Sequence, residues 1–383
     1  MLDVMKKLLV AVVVLGVMIM LLASWTLYSD GSNHIARGLT DHISKLYHSA
    51  SDVGYWPTTH IHGGGVTCNV CVPPPNISVS SAPSLNKKNI SSRIVSTALE
   101  RWQKQVFSTD MDLNTENFTI VMLTYRRESI LPKILLHYCE TPRLAKIVVI
   151  WNDVERVIPQ AILNLSNMCR IPLEFIREKE NKITNRFKPR PQIKTDCVFI
   201  LDDDRWINDL SDLTFAFNVW QENRHRIVGF ENCMRSHSLN SQGQYTYDQA
   251  VPGRGVSIMM TATGLLHRAY LDMYFDPGAL LPGGMMKDKD WTMYCDDILM
   301  NCVVGRFLEL VSWPQPSLVV VKGKGGLKNL ERESAKAGGH PGLHVIQPDH
   351  YKRRSVCLNK LAGIFGHLPL KLTKIIVKEN VKT

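Results

Sequence analysis

Short apolar runs alternate along the chain with segments in which apolar residues recur at helical spacing. The runs have the length and composition of strands buried on both faces of a sheet, and they lie at 118–125, 145–151, 173–177, 197–201 and 227–230. Helical spacing is seen at 131–138 and at 209–221. Strands separated by helices form βαβ units. The pattern therefore predicts an α/β fold with a mostly parallel sheet flanked by helices.

The second half of the chain is less periodic. Residues 243–255 are polar and rich in turn-forming residues, and the lysine- and glycine-rich segment 322–339 is predicted to be flexible. A helix is expected to begin at Cys295, with two acids in its first turn, where the helix dipole favours negative charge. Apolar residues return at helical spacing over 353–368.

The most informative stretch is the apolar run that ends in Asp202, Asp203 and Asp204. Three adjacent carboxylates repel one another, and a hard divalent cation such as Mn²⁺ or Mg²⁺ removes that conflict, because it takes oxygen ligands and bridges phosphate oxygens. Ligands of open α/β sheets bind just beyond the carboxyl ends of strands. The stretch predicts a metal–diphosphate site; the alternative is a solvated acidic turn after a strand.

The N-terminus predicts a membrane anchor. Lys6 and Lys7 precede an uncharged apolar run at 8–29, and a bilayer span needs about 20 such residues. Basic residues before the run favour a cytosolic tail at 1–7. The alternative is a signal peptide cleaved near Ala23. Either reading delivers the rest of the chain to the secretory lumen, as a stem at 30–115 and an ordered domain at 116–383.

Glycosylation motifs and cysteines agree with a lumenal location. The chain has nine cysteines, an odd number, and in an oxidising compartment most of them would be paired or buried. Four Asn-x-Ser/Thr motifs predict glycosylation, at Asn76, Asn89, Asn117 and Asn164.

The formal net charge of +10 means that the chain attracts anions. Nucleic acid is not the expected partner, because the basic residues are spread along the chain and no zinc-finger, RRM or basic-helix pattern is present. A nucleotide diphosphate and an acidic glycan account better for the charge.

Six motifs occur in an order and spacing that resemble the C-terminal glycosyltransferase domain of the exostosin family. They are Thr124-Tyr125-x-Arg127, Val148-Val149-Ile150-Trp151-Asn152, Asn185-Arg186-Phe187, Leu201-Asp202-Asp203-Asp204, Cys295-Asp296-Asp297-Ile298-x-Met300-Asn301 and Arg353-Arg354-Ser355-x-Cys357-x-Asn359. The resemblance covers residues from about 117 to the C-terminus. It is closest to the short exostosin-like members, which have an anchor, a stem and one catalytic domain.

The resemblance implies a nucleotide-sugar-binding, GT-A-type (Rossmann-like) fold, a UDP-sugar donor and a Mn²⁺ (or Mg²⁺) cofactor. It makes Asp204 the metal ligand and Asp297 the catalytic carboxylate, which would stabilise oxocarbenium-like charge, orient the acceptor hydroxyl or act as a nucleophile; these roles stay open. Helix capping is the alternative explanation for the acids of this helix. The other substrate-binding residues that it implies are Arg127, Asn152, Asn181, Asn185, Arg186, Asp202, Asp203, Asp296 and Arg354. A disulfide would join Cys295 to Cys357.

The resulting hypothesis is a metal-dependent, retaining transferase that moves an N-acetylhexosamine from a UDP-sugar to a glycan acceptor in heparan sulfate or other glycosaminoglycan synthesis. Such a protein would be a single-pass type II protein of the Golgi or endoplasmic reticulum membrane, alone, as a homo-oligomer or with an exostosin-like partner. The alternatives are a glycolipid acceptor or another UDP-sugar, and a catalytically weak Golgi scaffold. The loops at 256–267 and 277–290 diverge from the family, so they leave the acceptor undecided.

Overall fold

The computed structural model describes residues 89–108, 113–251, 253–276, 280–281, 291, 293–342 and 349–379. The predicted anchor, most of the predicted stem and Asn76 lie outside these ranges. Within them, no helix has both the length and the apolar character needed to cross a bilayer. The anchor, the lumenal stem and their boundaries therefore stay predictions.

Helices and strands alternate through the first half of the described chain, as the apolar pattern predicts. The helices are α1 Asn89–Val106, α2 Leu113–Glu116, α3 Leu131–Tyr138, α4 Gln160–Leu163, α5 Leu210–Glu222, α6 Ala269–Phe275, α7 Asp296–Leu310, α8 Glu331–Lys336 and α9 His350–Phe365. The strands are β1 Phe118–Thr124, β2 Leu144–Trp151, β3 Leu173–Arg177, β4 Cys197–Asp202, β5 Arg205–Ile207, β6 Ile227–Phe230, β7 Met234–Leu239, β8 Tyr245–Gln249, β9 Ile258–Met259, β10 Thr263–His267, β11 Leu318–Lys322, β12 Leu327–Asn329 and β13 Ile376–Lys378.

Eight strands form one central sheet in the order β13-β11-β6-β10-β4-β1-β2-β3. All neighbouring pairs are parallel except those of β10, which runs antiparallel to both β4 and β6. The mostly parallel sheet expected from the sequence is thus confirmed. Because β10 is reversed, its amino end lies at the same edge as the carboxyl ends of β4 and β1.

Helices cover both faces of the sheet because its strands are apolar on both sides. One apolar cluster contains Leu131 of α3 and Phe217 of α5. The other contains Phe307 of α7 and Leu361 of α9, and also Trp102 of α1. Trp102 is 1% exposed, so α1, from the region assigned to the stem, packs on the core of the domain.

Two smaller sheets complete the fold. Strands β8, β7 and β9 form an antiparallel sheet in that order, and β12 pairs antiparallel with β5. Strand β8, Tyr245–Gln249, therefore lies within residues 243–255, where the composition indicated turns. The expectation that 322–339 is flexible is wrong, because this segment contains both β12 and α8.

Candidate active site

A cavity of about 500 Å³ opens at the carboxyl edge of the central sheet. Its volume is in the range of about 300–1,000 Å³ that small-molecule sites have. Every predicted substrate, metal and catalytic residue lines it except Asn185. Six carboxylates and four guanidinium groups face this space, from Asp202, Asp203, Asp204, Asp296, Asp297 and Glu331 and from Arg127, Arg186, Arg205 and Arg354.

The three aspartates meet arginines at the end of β4. Arg127, in the loop after β1, donates to Asp204 Oδ2 and lies 3.2 Å from Asp203 Oδ1. Arg205 Nε lies 3.3 Å from Asp204 Oδ1, but the two atoms are not aligned for a hydrogen bond. Asp204 Oδ1 is therefore a buried acceptor without a hydrogen-bond partner among the described residues. Each aspartate of the triplet has an arginine at ion-pair distance, and Asp204 keeps one oxygen without a hydrogen bond.

Burial dominates the electrostatics of Asp203. It is 6% exposed, and burial, more than the nearby charges, raises the pKa of Asp203 to about 7, while Arg127 opposes that rise and Asp204 adds to it. The backbone N–H of Tyr125, directly after β1, donates to Asp203 Oδ2 at 3.4 Å. The Asp203 carboxyl is therefore protonated in part at neutral pH, and a bound cation would favour its charged form.

Arg186 links the Asp triplet to the second acidic pair. It lies in the turn 183–187, where its Nη1 donates to Asp202 Oδ1 and to the backbone oxygen of Thr261, 3.3 Å away. Burial lowers the pKa of Arg186, but the charges of Asp202 and Asp296 outweigh it and raise the pKa overall. The guanidinium thus stands between the two clusters and reduces their mutual repulsion.

Three asparagines lie at the ends of β2 and β3. Asn152, directly after β2, and Asn181 line the cavity. Asn185 is fully buried and lies behind them, where its NH₂ donates to Asn152 Oδ1 at 2.6 Å. Asn185 was expected to bind substrate like its neighbours, but the structure places it out of the cavity wall.

The second acidic pair, Asp296 and Asp297, lies in the first turn of α7, and Arg354 of α9 is its cation. Arg354 Nη2 donates to Asp297 Oδ2, and Nη1 donates to the Tyr294 backbone oxygen at 3.1 Å. The guanidinium also lies over the Tyr247 ring, 4.4 Å from its centroid. Asp297 Oδ1 accepts from the Ile298 N–H at 2.7 Å. Both oxygens of Asp297 are therefore engaged.

Asp296 lines the same cavity and is 7% exposed. Burial, and secondarily the charge of Asp297, raises the pKa of Asp296 to about 6, against the opposing charges of Arg186 and Arg354. Asn301, one turn further along α7, donates to the Asp297 and Met259 backbone oxygens at 2.8 Å each. This fixes the start of α7 against β9 and the amino end of β10.

Two disulfides are present among the described cysteines. Cys295 pairs with Cys357, which joins the start of α7 to α9 as the family resemblance implies. Cys139 pairs with Cys169, a bridge for which the sequence offered no specific signal. Cys197, Cys233 and Cys302 are buried free thiols. Cys68 and Cys71 lie outside the described residues.

Residues 323–342, which we call the strap, supply the part of the site that the sequence reading missed. Glu331, His340, Pro341 and Gly342 line the cavity. The Leu330 N–H donates to the Asp204 backbone oxygen at 2.8 Å, and the His340 N–H donates to the Arg126 backbone oxygen at 2.9 Å. Glycines make the close approach possible, because a Cβ at Gly323 would lie 2.2 Å from Asp212 Cγ. The glycines of the strap are the sequence feature that could have indicated this close packing, but glycines are also typical of flexible segments.

Among the described residues that adjoin the cavity, Arg126 in the loop after β1 is the one non-glycine residue with a positive φ. Arg126 has φ 54°, which is unusual for a residue with a side chain. Its side chain turns away from the site, where Nε donates to the buried Asp153 at 2.9 Å. The turn directs the next residue, Arg127, into the Asp cluster.

Comparisons with known proteins agree with this site. A family model described as "Glycosyl transferase family 64 domain" matches residues 118–381. The chain belongs to glycosyltransferase family 64. It is 32% identical to Exostosin-like 2 of Mus musculus over 271 residues, which cover 69% of this chain and 77% of the relative. The human Exostosin-like 2 is 31% identical over the same length. Human Exostosin-2 is 29% identical over 264 residues, which cover 68% of this chain but 34% of that protein.

Family membership identifies this family 64 protein as a glycosyltransferase with an exostosin-type domain. The matched residues 118–381 include every element that lines the cavity. They begin after α1, so the packing of Trp102 on the core is a feature outside the matched region.

Proposed function

We propose that this family 64 glycosyltransferase moves an N-acetylhexosamine from a UDP-sugar to a glycan acceptor, with a divalent metal and retention of anomeric configuration. The supporting observation is the convergence of six carboxylates and four arginines on one cavity at the carboxyl edge of a mostly parallel sheet. Open α/β sheets bind their ligands at this edge. Arginines suit the phosphates, since their donors match phosphate oxygens, and carboxylates suit a metal and sugar hydroxyls.

The residues around Asp204 fit a Mn²⁺ or Mg²⁺ ion. Asp204 Oδ1 is a buried acceptor without a hydrogen bond, and the pKa of Asp203 is raised to about 7 by burial. No group of three His, Cys, Asp or Glu side chains in the described part of the chain is arranged to hold a metal. Mg²⁺ sites with one or two carboxylates rely on substrate phosphates and water for the other positions. Asp204 would thus hold the ion together with the donor diphosphate, and the ion would neutralise the leaving group as a Lewis acid.

Metal dependence has a direct test in Asp204→Asn. Loss of the charged ligand should abolish the Mn²⁺-dependent part of UDP binding, measured by calorimetry with and without the metal. The fold should persist, because the substitution relieves repulsion among three carboxylates. Asp248→Asn, on β8 away from the cavity, is the matched control. Unchanged metal dependence in Asp204→Asn would remove Asp204 as a ligand.

The transfer breaks the bond between the sugar anomeric carbon and the diphosphate oxygen, and it forms a bond from that carbon to an acceptor hydroxyl. The hydroxyl proton leaves to the diphosphate oxygen or to a carboxylate. Asp297 has one oxygen bound to Arg354 and the other bound to the Ile298 N–H. A carboxylate held in this way is a better fixed negative charge than a nucleophile. We assign it to stabilising the oxocarbenium-like transition state.

A donor screen tests the proposed reaction. The full chain, purified in detergent with Mn²⁺, would be assayed for UDP release over a panel of UDP-sugars with an acidic disaccharide acceptor and with a glycolipid acceptor. We expect UDP-N-acetylglucosamine or UDP-N-acetylgalactosamine to be used with the acidic acceptor, which would place the reaction in heparan sulfate or related glycosaminoglycan synthesis. Transfer only to the glycolipid would change the proposed acceptor from an acidic glycan to a glycolipid. No release with any donor would favour a scaffold role.

A further inference from the structure

Helix α9 lies along the outer edge of β8 and caps it with two side chains, which we call the clamp. Asn359 accepts from the Tyr245 N–H at 2.9 Å and donates to the Tyr245 backbone oxygen at 2.7 Å. The Ser355 hydroxyl accepts from the Tyr247 N–H at 3.0 Å. We propose that the clamp residues are positioning residues, which hold α9 so that its Arg354 meets the first turn of α7. This inference rests on the proposed function, because that turn carries the proposed catalytic acid.

The repeat of the helix matches the repeat of the strand. Residues i and i+4 of a helix lie on one side of it, about 6 Å apart along the axis. Residues i and i+2 of a strand are about 7 Å apart and direct their backbone groups to the same edge. Three side-chain contacts follow this match, and they join Tyr351 to Gln249, Ser355 to Tyr247 and Asn359 to Tyr245. Helix α9 therefore runs antiparallel to β8, in register over two helical turns.

The Asn359 amide takes the place of a neighbouring strand. Strand β8 is at the edge of the sheet β8-β7-β9, and an edge strand presents N–H and C=O groups that need partners. A side-chain amide offers a donor nitrogen and an acceptor oxygen, as a peptide group does. The Tyr245 N–H requires the amide oxygen and the Tyr245 carbonyl requires the amide nitrogen, so both ends of the amide are assigned. The nitrogen also donates to the Ser355 backbone oxygen at 2.8 Å.

Arg354 depends on where the clamp places α9. Its guanidinium donates to Asp297 Oδ2 and lies 4.4 Å from the centroid of the Tyr247 ring. Tyr247 thus binds the clamp through its backbone N–H and supports the guanidinium with its ring. The disulfide of Cys357 joins α9 to α7 at one point, and rotation about a single point is stopped by further contacts. A misplacement of about 1 Å can cost a catalytic site about 10²-fold in rate.

Steady-state kinetics of clamp variants test the proposal. Asn359→Ala removes three hydrogen bonds, and we expect kcat to fall about tenfold while the KM for the donor changes less than about twofold. Ser355→Ala removes one acceptor and should have a smaller effect, and Ser355→Thr, which keeps a hydroxyl, should keep kcat. Asn240→Ala is the matched control. It removes the acceptor of the Gln242 and Gln244 N–H groups in the exposed turn between β7 and β8, and it should keep kcat.

A double-mutant cycle separates positioning from a general loss of stability. The clamp is proposed to act through the contact of Arg354 with Asp297. In an Asp297→Asn background, Asn359→Ala should therefore change kcat by less than about twofold, because effects that share one contact are not additive. The same tenfold fall in both backgrounds would overturn the positioning role, and so would a wild-type kcat in Asn359→Ala alone.

Hydrogen exchange gives a second measurement, which needs no activity. The Tyr245 amide should exchange faster in Asn359→Ala and the Tyr247 amide faster in Ser355→Ala, at a temperature where each variant is folded. Unchanged exchange of both amides would contradict the clamp. Wild-type protein that releases no UDP with any donor would instead count against the proposed function. The cycle would then be measured on the free energy of unfolding, where additive losses would overturn the coupling of the clamp to Asp297.

Discussion

The contact between Asp297 and Arg354 affects both side chains. Burial by itself lowers the pKa of Arg354, but the charges of Asp297, Tyr247 and Asp296 together raise it, so the guanidinium stays charged. In return, Arg354 holds the Asp297 side chain in one position. Removing either partner would leave the other as a buried charge without its main counter-ion, which is a costly state.

Asp297→Asn should therefore separate binding from catalysis. The amide keeps the shape and an acceptor for the Ile298 N–H, so UDP and Mn²⁺ binding should remain near the wild-type level. The loss of the counter-ion of Arg354 should lower the free energy of unfolding, so the variant is assayed well below its own melting temperature. Transfer should fall roughly 10²-fold, which is typical of losing one electrostatic stabiliser. Steady-state kinetics should show the loss mainly in kcat, with calorimetry reporting binding. Near-normal transfer would leave helix capping as the role of this acid.

The two disulfides offer a matched pair at the level of helices. Cys295–Cys357 joins α7 to α9, and with them Asp297 to Arg354, whereas Cys139–Cys169 joins the end of α3 to the segment before β3. Each bridge should contribute about 2–4 kcal/mol to the free energy of unfolding. Because only the first of these two bridges joins elements that line the cavity, their effects on activity should differ.

Replacing both members of either pair with serine should lower the melting temperature. The Cys295/Cys357 variant should also lose kcat, since α9 can then move Arg354 away from Asp297. The Cys139/Cys169 variant should keep kcat at temperatures well below its own transition. Equal losses of kcat in the two variants would show that stability alone, and not the position of Arg354, explains the effect.

Asp212 holds the beginning of the strap, although the two are more than 100 residues apart in the sequence. It lies in the first turn of α5, is 1% exposed, and accepts from the N–H groups of Lys324 and Gly325 at 2.8 and 2.9 Å. These bonds fix the beginning of the strap that brings Glu331 and His340 to the cavity. The residue is far from the predicted chemistry and carries no obvious catalytic signature.

Asp212→Ala should remove the acceptor of two half-buried N–H groups, and each hydrogen bond to a charged group contributes about 1.5–3 kcal/mol. We expect kcat/KM for the donor to fall about tenfold as the strap loosens, a change equivalent to about 1.4 kcal/mol. Asp209→Ala, in the same turn, removes only the cap on the Ser211 N–H. That control should cost about 0.5–2 kcal/mol of stability and keep kcat/KM unchanged. A wild-type kcat/KM in Asp212→Ala would show that the strap needs no such anchor.

The stability of the whole domain should depend on pH through His267. Burial, and then the charges of Arg224 and Arg268, lowers the pKa of His267 to about 3. The folded pKa lies below the unfolded value of about 6.5, so the unfolded chain binds more protons. This contribution is complete above pH 6.5 and is lost as the pH falls from 6.5 toward 3. At pH 5 the loss should be about 2 kcal/mol.

A variant comparison isolates His267 from acids that act in the opposite sense. Asp203 and Asp296 have raised pKa values of about 7 and 6, so they favour the folded state more as the pH falls toward their unfolded values. His267→Asn keeps an acceptor for the Ala269 N–H, which His267 Nδ1 binds at 3.1 Å. Denaturant unfolding at pH 7.5 and 5.0 should show a smaller loss in the variant, by about 2 kcal/mol. Equal losses would exclude His267 as the cause.

Much of the site could be predicted because it follows from local pattern and sheet geometry. The apolar runs at β1, β2 and β4 end in Arg127, Asn152 and the Asp triplet, and parallel strands bring their carboxyl ends to one edge. The Cys295–Cys357 bridge followed from the family resemblance. The metal was expected from the Asp triplet and from the family resemblance, and the UDP-sugar donor from the resemblance, whereas the divergent loops gave no basis for choosing the acceptor.

The strap shows why the rest could not be predicted. Its glycines and lysines carry no periodic pattern, so nothing local distinguishes an ordered crossing from a mobile loop. Its order comes from partners more than 100 residues away in the sequence, such as Asp212, and from pairing of β12 with β5. Hydrogen bonds that backbone N–H groups donate to distant acceptors leave no mark in the sequence of the donating segment.

The sequence by itself determined the apolar strands and the polar residues that follow them, since the hydropathy pattern of a segment is a local property. Only the tertiary structure decided which of them face the cavity. Asn181 and Asn185 are four residues apart and chemically identical, yet a 3-10 turn at Ile183–Phe187 places one in the wall and buries the other behind Asn152. Side-chain direction depends on how the backbone turns and on what packs around it, and neither is written in the residue type.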